Sequence, residues 1–350
     1  LHLLSRRQRQ MCIRDRFLYV APRYHTNQVP IIRGLKRKGH EVCFLSQYAG
    51  KVEDYSDLTP TVIGYSGFFL FFDRIYMALM KNRDAYAGDR KMKCGFPPIG
   101  KLKRAIRDSH GDVAILRERS VYSICAYLLC KKYKIPAILY NQSPLWEDCI
   151  KNDPAHRLMR LLTPTVRMTP VMGVQDGRKV KEPGAAFVPF VMEPEQKAEE
   201  KRWIKDSITH IFSIGKYEER KNHRMLMEIV EELSAVYNIH LTIAGERTTS
   251  AHQAYYDRLA AYIADHGLQD KVTLLANLNR QQVAEQYRKA DLFVIPSTRE
   301  PASISQLEAM AFSLPVVCGD KNGTACYVEN GVNGWQFQDN QKASLKEVLD

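Results

Sequence analysis

The sequence predicts an α/β protein made of two Rossmann-like, doubly wound parallel-sheet domains that face each other across a cleft. Three observations support this fold class. Short β-branched or aromatic runs alternate with helical patterns in both halves of the chain. The length of 350 residues exceeds what one hydrophobic core usually supports. Prolines and a charged run interrupt the alternation at residues 188–205. We therefore expect an N-terminal domain at residues 17–190 and a C-terminal domain at residues 191–350.

In the N-terminal half, hydrophobic periodicity predicts two strand–helix–strand units. They are Phe17–Ala21, Asn27–Lys38 and Glu41–Ser46, followed by Val113–Leu116, Val121–Tyr133 and Ala137–Tyr140. Between these units, residues 50–111 are less regular. They contain the apolar run Phe68–Met80, which fits either a core helix or an exposed helix that faces a membrane.

The C-terminal half repeats the same alternation more regularly. The predicted strands are Ser207–Ser213, Ile239–Ala244, Val272–Leu275, Leu292–Pro296 and Val316–Cys318. The predicted helices are Asn222–Tyr237, Ala251–His266, Arg280–Lys289 and Ile304–Phe312. Strand and helix in alternation indicate a parallel sheet with right-handed crossovers. Ligands of such sheets bind at the carboxyl ends of the strands, at the point where the strand order reverses.

Both ends of the chain are unusual. Residues 1–16 hold five arginines and no apolar segment, so we interpret them as a non-native or disordered tail rather than a signal peptide. The chain stops at Asp350 inside a helical pattern, so we expect the C-terminus to be truncated.

Composition excludes several classes of protein. An apolar fraction of 45% and a charged fraction of 26% are those of an ordinary globular protein rather than a disordered one. No run of about 18 apolar residues is present, so we expect no membrane span. Eight cysteines without a CxxC pair argue against a zinc site or a disulfide scaffold and favour a cytoplasmic protein.

Charge is distributed unevenly along the chain. Residues 17–190 carry a net charge of +13, whereas residues 191–350 carry −5. The basic half predicts contact with a polyanion or an anionic membrane surface, and a solvated basic surface without a partner is the alternative.

The first candidate site follows the strand that ends near Ser213. Gly215 allows close approach of the backbone to a ligand, and Lys216 and Lys221 can converge on one diphosphate from the same loop. A solvated loop that is basic by chance remains an equal alternative at this point.

The second candidate site follows the strand Leu292–Pro296. Glu300 lies in the loop and Glu308 eight residues later, where two carboxylates can accept hydrogen bonds from sugar and ribose hydroxyls. Ser303 and the amides at the start of the next helix suit an anion. The alternative is that both glutamates are ordinary helix residues, but Glu308 stands in an otherwise apolar stretch.

Taken together, these motifs resemble the C-terminal half of a retaining glycosyltransferase of the GT-B fold, family GT4. The matching elements occur in family order: G-[RK]-x4-KN from Gly215, E-x7-E from Glu300 with EAMA, PVV, NG, and the ENGVNG turn from Glu329. The resemblance is specific over residues 207–340. Over residues 17–190 it is looser and includes the helix-to-strand turn Lys38–Val42.

This resemblance implies a nucleotide-sugar donor on the C-terminal domain and an acceptor mainly on the N-terminal domain. It implies catalytic roles for Glu300, Lys216 and Lys221, and His25 is a further catalytic candidate. It implies donor contacts from Gly215, Lys216, Lys221, Gly245, Asn277, Leu278, Glu300, Ser303, Ile304, Glu308, Gly323 and Thr324. No DxD-like pair stands where a metal would be held, so we expect no metal site and no cofactor beside the nucleotide sugar.

The sequence departs from the family pattern at three places. Lys216 stands where arginine is usual, which replaces a bidentate fork by a point charge. Ala302 and Ser303 replace Phe-Gly, which reshapes the sugar pocket. The segment after the first strand lacks the usual glycine pair, so we expect His25 or Asn27 to take over contacts near the phosphates there. An ordinary loop histidine without a ligand role is an equal alternative for His25.

The expected function is therefore transfer of a sugar, with retention of configuration, from a nucleoside diphosphate to a lipid-linked or cell-envelope glycan. We expect a cytoplasmic enzyme, peripheral on the inner face of the membrane. A GT-B sugar-nucleotide epimerase is the alternative within the same fold. A basic nucleic-acid-binding protein is the alternative from another class, but the basic residues are scattered and no binding motif occurs, so we expect no nucleic-acid partner.

Overall fold

A computed structural model describes residues 14–50, 55–79, 90–92, 94–118, 120–144, 154–175 and 178–350. The tail predicted at residues 1–16 lies outside this range except for its last three residues, and Arg16 begins the first strand. The chain divides into two compact units. The first comprises the chain up to residue 141 with residues 151–169 and 184–191, and the second comprises residues 142–150, 170–183 and 192–350.

The helices and strands follow one another in the predicted α/β manner. In chain order they are β1 (Arg16–Ala21), α1 (Val29–Arg37), β2 (Glu41–Ser46), β3 (Thr61–Val62), α2 (Gly67–Leu79), α3 (Ile99–Asp108), β4 (Val113–Arg117), α4 (Val121–Lys132), β5 (Ala137–Tyr140), α5 (Pro154–Leu162), β6 (Arg167–Thr169), β7 (Gly173–Gln175), β8 (Arg178–Val180), β9 (Ala185–Phe187), β10 (Thr209–Ile214), α6 (His223–Leu233), β11 (Ile239–Gly245), α7 (Ser250–Asp265), β12 (Val272–Ala276), α8 (Arg280–Lys289), β13 (Leu292–Ile295), α9 (Ile304–Ala311), β14 (Val316–Gly319), β15 (Gly334–Phe337) and α10 (Lys342–Leu349).

The first unit is built on a parallel sheet. Its described strands lie in the order β3-β2-β1-β4-β5-β6-β9, and every pair is parallel. Residues such as Leu18, Leu116 and Ile106 are fully buried in its core. The strand order reverses between β1 and β4, so the carboxyl ends of these two strands form the switch point of this sheet.

Local sequence explains where the helices of the first unit begin and end. Pro30 lies in the first turn of α1, where its missing amide costs no hydrogen bond. The helix ends before Gly39, whose φ of +86° glycine adopts without strain. Ser120 precedes α4 and accepts a hydrogen bond from the Ser123 amide.

Helix α2 resolves the question that the sequence left open, because it is exposed rather than part of the core. Asp73 is the one buried residue among its thirteen. Phe69, Tyr76 and Met77 are half-buried on the same side as Asp73, and the large apolar side chains of the other side face outward.

The second unit is also built on a parallel sheet, with the order β12-β11-β10-β13-β14-β15 within its described strands. The antiparallel pair β7–β8 also belongs to this unit. The order reverses between β10 and β13, so these strands form its switch point. The two parallel sheets with their surrounding helices confirm the predicted two-domain α/β fold class.

Two predicted boundaries in the second unit are wrong by more than one residue. The strand β10 begins at Thr209 rather than Ser207, because Asp206 and Ser207 adopt left-handed φ values of 57° and 58°. The helix α6 ends at Leu233 rather than Tyr237, where the Ser234 hydroxyl bonds the Val230 carbonyl oxygen. Asn222 directly precedes α6, and its side-chain amide donates to the Pro296 carbonyl oxygen and the Thr298 hydroxyl.

Within the described residues, no helix combines the length and the apolar character that crossing a bilayer requires.

A buried histidine makes the stability of the second unit sensitive to pH. His223 begins α6 and is 1% exposed. Burial, with a contribution from the positive charge of Lys221, lowers its pKa from 6.5 to about 4. The folded protein therefore keeps this ring neutral at pH values where the unfolded chain binds a proton. The free energy of unfolding should fall as the pH drops from about 6.5 to 4, by about 3 kcal/mol.

Urea denaturation of wild type and His223→Gln across this window tests the expectation. The substituted protein should lack this part of the pH dependence, whereas His266→Gln, at a 41% exposed side chain, should retain it. An equal dependence of the free energy of unfolding on pH in wild type and His223→Gln would show that His223 is not the group responsible.

Candidate functional site

The loops that follow β10 and β13 meet at the switch point of the second unit and line one cavity. Its volume is about 370 Å³, within the range of small-molecule sites. The lining residues are Ile214, Gly215, Lys216, Glu218, Arg220, Lys221, Glu300, Ala302, Ser303, Ile304 and Ser305. The structure thus brings together six of the predicted site residues: Gly215, Lys216, Lys221, Glu300, Ser303 and Ile304.

The carboxylate of Glu300 is the centre of the charge arrangement in this cavity. Its Oε2 atom lies 2.6 Å from Lys221 Nζ and 2.9 Å from Arg220 Nη1, and Glu300 is 7% exposed. Burial alone would raise the pKa of Glu300, but the charges and hydrogen bonds of Lys221 and Arg220 hold it below its usual value. The carboxylate is therefore ionised at neutral pH and can only accept hydrogen bonds.

The three basic side chains of the cavity differ in position. The side chain of Lys221 is 12% exposed, whereas that of Lys216 is 54% exposed and lies 3.8 Å from Glu246. Arg220, which was not among the predicted site residues, contributes a guanidinium that also bonds Glu218 at 3.2 Å. Arg220 thus provides the planar guanidinium, able to donate two parallel hydrogen bonds, that Lys216 lacks.

Two other predicted residues hold the Glu300 loop in place and do not line the cavity. The Gly323 amide donates to the Glu300 carbonyl oxygen at 2.8 Å. The Thr324 hydroxyl accepts a hydrogen bond from the Ser303 amide and lies 3.0 Å from Gln306 Oε1. Asn322 Nδ2 donates to the same oxygen of Gln306, so a buried amide network fixes the loop. Gln306 was not predicted from the sequence.

Glu308 lies in the second turn of α9 and does not line the cavity. The Tyr287 hydroxyl donates to its Oε2 atom at 3.1 Å. Burial raises the pKa of Glu308, and the hydrogen bond from Tyr287 opposes that effect in part. This carboxylate therefore has an environment opposite to that of Glu300, because a neutral hydroxyl rather than a cation donates its hydrogen bond from Tyr287.

Gly245, Asn277 and Leu278 lie at the carboxyl ends of β11 and β12, beside the cavity loops. A Cβ on Gly245 would lie 2.5 Å from the Gly215 carbonyl oxygen, so this close approach requires glycine. Asn277 Oδ1 accepts a hydrogen bond from the Arg247 amide at 2.8 Å and fixes the loop after β11.

His25 belongs to the first unit. It follows β1 at the switch point of that sheet, and its amide donates to Gln28 Oε1 at 2.9 Å. A short 3-10 helix, Thr26–Gln28, begins directly after it.

No group of three or more His, Cys, Asp or Glu side chains that could hold a metal ion occurs in the part of the chain that the structure describes. The expectation of metal-free chemistry stays a prediction.

A tight backbone contact should make Gly323 essential to the Glu300 loop. A Cβ there would lie 2.0 Å from the Pro301 carbonyl oxygen, and backbone cannot yield as a flexible side chain would. Gly323→Ala should lower the free energy of unfolding by about 1–3 kcal/mol. As a control, Gly34→Ala in α1 places a methyl group in open space and should stabilise the helix by about 0.5–1 kcal/mol. Urea denaturation compares the two, and a wild-type midpoint for Gly323→Ala would show that the loop can relax.

Comparison with known proteins gives one family. Residues 195–350 match the family model of glycosyl transferases group 1. An uncharacterized glycosyltransferase of Methanocaldococcus jannaschii is 30% identical over 138 residues, which are 39% of this chain and 34% of that protein. Mannosylfructose-phosphate synthase of Agrobacterium fabrum is 27% identical over 110 residues, which are 31% of this chain and 24% of that protein.

A lipopolysaccharide core biosynthesis mannosyltransferase of Rhizobium leguminosarum is 28% identical over 120 residues, 34% of each chain. The matched parts of this chain thus span between 24% and 34% of the length of these three relatives.

Solved structures match over nearly the whole chain. A glycosyltransferase of Rickettsia africae has a TM-score of 0.68 at 14% identity, covering 96% of this chain and 87% of that one. Anabaena HepE in complex with UDP has a TM-score of 0.64 at 12% identity, covering 96% and 89%. At this identity the likeness shows the fold. The chain therefore has the two-domain α/β fold of GT-B glycosyltransferases, and its residues 195–350 are similar to the glycosyl transferases group 1 family.

Proposed function

We propose that the chain is a retaining glycosyltransferase of family GT4 that transfers a sugar from a nucleoside-diphosphate sugar to a lipid-linked or other cell-envelope glycan. The observation that carries this proposal is the ion cluster of Glu300, Lys221 and Arg220 in the switch-point cavity. Two cations beside a buried carboxylate can receive a diphosphate and a sugar hydroxyl at adjoining positions. The similarity of the fold to HepE, solved with UDP, supports the class of donor.

The cluster suggests how the donor is held. In the free protein, Glu300 neutralises Lys221 and Arg220. A bound diphosphate takes over the cations, and the released lone pairs of Glu300 accept hydrogen bonds from the transferred sugar. Glu308, buried beside Tyr287, holds the ribose hydroxyls in this proposal.

The reaction needs stabilisation of the charge that develops on the leaving diphosphate. Lys221, Arg220 and the amides at the start of α9 lie around one cavity, where their electrostatic effect is stronger than in water. These groups supply positive charge without a metal ion. Front-face substitution, which the family resemblance implies, requires no enzymatic nucleophile.

The acceptor is proposed from the relatives. The lipopolysaccharide core mannosyltransferase favours an envelope glycan as the substrate class. The N-terminal unit takes the acceptor in this proposal, with His25 at the switch point of its sheet, and the enzyme works in the cytoplasm where nucleotide sugars are made.

Removing either of two proposed donor contacts, Lys221 for the diphosphate and Glu308 for the ribose, should weaken donor binding. Lys221→Ala and Glu308→Ala should each lower affinity for the nucleoside diphosphate selected from UDP, GDP and ADP, by about 1.5–3 kcal/mol, because each removes a charged hydrogen-bond partner. Lys216→Ala should cost less, since its side chain is 54% exposed. Isothermal titration calorimetry measures these affinities, and Lys289→Ala, at an exposed position on α8, is the matched control. Unchanged dissociation constants for Lys221→Ala and Glu308→Ala would refute the donor site.

The stereochemistry and metal dependence of the reaction test the mechanism. An α-linked donor should give an α-linked product, and turnover should survive EDTA. NMR of the product and assays with and without chelator provide both answers. A β-linked product, or loss of turnover that added divalent metal restores, would refute the retaining, metal-free mechanism.

A further inference from the structure

Helix α2 presents a continuous apolar stripe to the outside of the first unit. The stripe consists of Phe68, Phe71, Phe72, Ile75 and Leu79, whose exposures are 74%, 60%, 51%, 42% and 77%. Their spacing is that of one helix face. Soluble proteins rarely leave so many large apolar side chains together in water, and such patches usually mark interaction sites.

The opposite face of α2 carries the polar contact that fixes this orientation. Asp73 is 5% exposed and forms ion pairs with Arg90 and with Lys91, the latter at 3.3 Å. The Arg90 guanidinium also stacks over the Tyr76 ring at 4.2 Å. Turning the helix over would bury the stripe but would break both ion pairs of Asp73. The helix is therefore held with its apolar side outward.

Segments joined by hydrogen bonds near the start of α2 carry further exposed apolar side chains. The Ser66 amide, directly before α2, donates to the Phe96 carbonyl oxygen at 2.8 Å, and Lys101 Nζ donates to the Val62 carbonyl oxygen at 2.7 Å. These bonds join the start of α2 to the segment that leads into α3. Val62, Phe96 and Ile99 there are 38%, 40% and 39% exposed.

Basic side chains accompany this apolar surface. Arg74 is exposed on α2. On α3, Leu102 and Ile106 are buried, and the exposed positions include Lys103, Arg104 and Arg107. Apolar side chains for insertion, flanked by lysine and arginine, complement the interface of an anionic membrane.

We propose that α2, α3 and the segments that precede them form a membrane-docking surface, and that its partner is a bilayer containing anionic phospholipid. The surface consists of the eight exposed apolar residues named above and the basic residues Arg74, Lys103, Arg104 and Arg107. If the proposed function holds, this surface brings a lipid-linked acceptor to the enzyme. The docking surface itself is inferred from residues of the first unit alone. Vesicle binding and donor binding are separate measurements, so either can fail without the other.

Flotation with vesicles tests the docking surface. Wild type should float with vesicles of phosphatidylglycerol and phosphatidylcholine, remain behind with pure phosphatidylcholine, and lose at least tenfold in affinity between low and high salt. Phe68→Ser/Phe71→Ser should bind at least tenfold more weakly. The control Val236→Ser/Val332→Ser removes apolar side chains of 76% and 73% exposure from the second unit and should bind as wild type. All variants should keep the wild-type melting temperature and donor affinity.

A local probe identifies the inserted residue. Phe71→Trp should be quenched by brominated lipid more strongly than the tryptophans of wild type. Wild-type protein left behind by anionic vesicles at low salt, undiminished binding of Phe68→Ser/Phe71→Ser, or no added quenching would overturn the proposal. A dimer that forms without vesicles and is lost in Phe68→Ser/Phe71→Ser would also overturn it, because the surface would then be a protein interface.

Discussion

The buried carboxylate of Glu300 is the constraint on which the site of the second unit depends. A carboxylate that is 7% exposed must be paired, and removing one partner of a buried ion pair typically costs about 3–5 kcal/mol. Its partners Lys221 and Arg220 come from the loop after β10, whereas Glu300 follows β13. These loops meet because β10 and β13 pair in parallel where the strand order reverses. Strand order, rather than sequence distance, therefore creates the site.

The same constraint explains the polar network behind the cavity. Glu300 keeps its position only if its loop is fixed, and the Gly323 amide and the Thr324 hydroxyl provide that support from the turn after β14. Gln306, in the first turn of α9, forms hydrogen bonds with the carbonyl oxygen and the hydroxyl of Thr324 and so links the helix to that turn. The loops after β10, β13 and β14 thus act together. The hydrogen bonds of Gly323, Thr324 and Gln306 fix the loop that positions Glu300.

The sequence predicted the part of this arrangement that depends on periodicity. Strand–helix alternation identified the long elements, and Lys221 and Glu300 were predicted because each follows a buried strand. Arg220 was missed because its direction depends on the 3-10 turn Glu219–Lys221 and the left-handed Asn222, which no hydrophobic pattern encodes. The strands β6, β7, β8 and β9 have three residues each, too few for a period of two to be recognised.

Helix α2 shows a second limit of periodicity. It is apolar nearly all round, and such a pattern normally indicates a buried helix. Its orientation is decided by one residue, because Asp73 must lie beside Arg90 and Lys91 and therefore faces the domain. The partners are distant from Asp73 in sequence and their approach depends on tertiary structure. The orientation of α2 thus depends on tertiary ion pairs, which hydrophobic periodicity does not reveal.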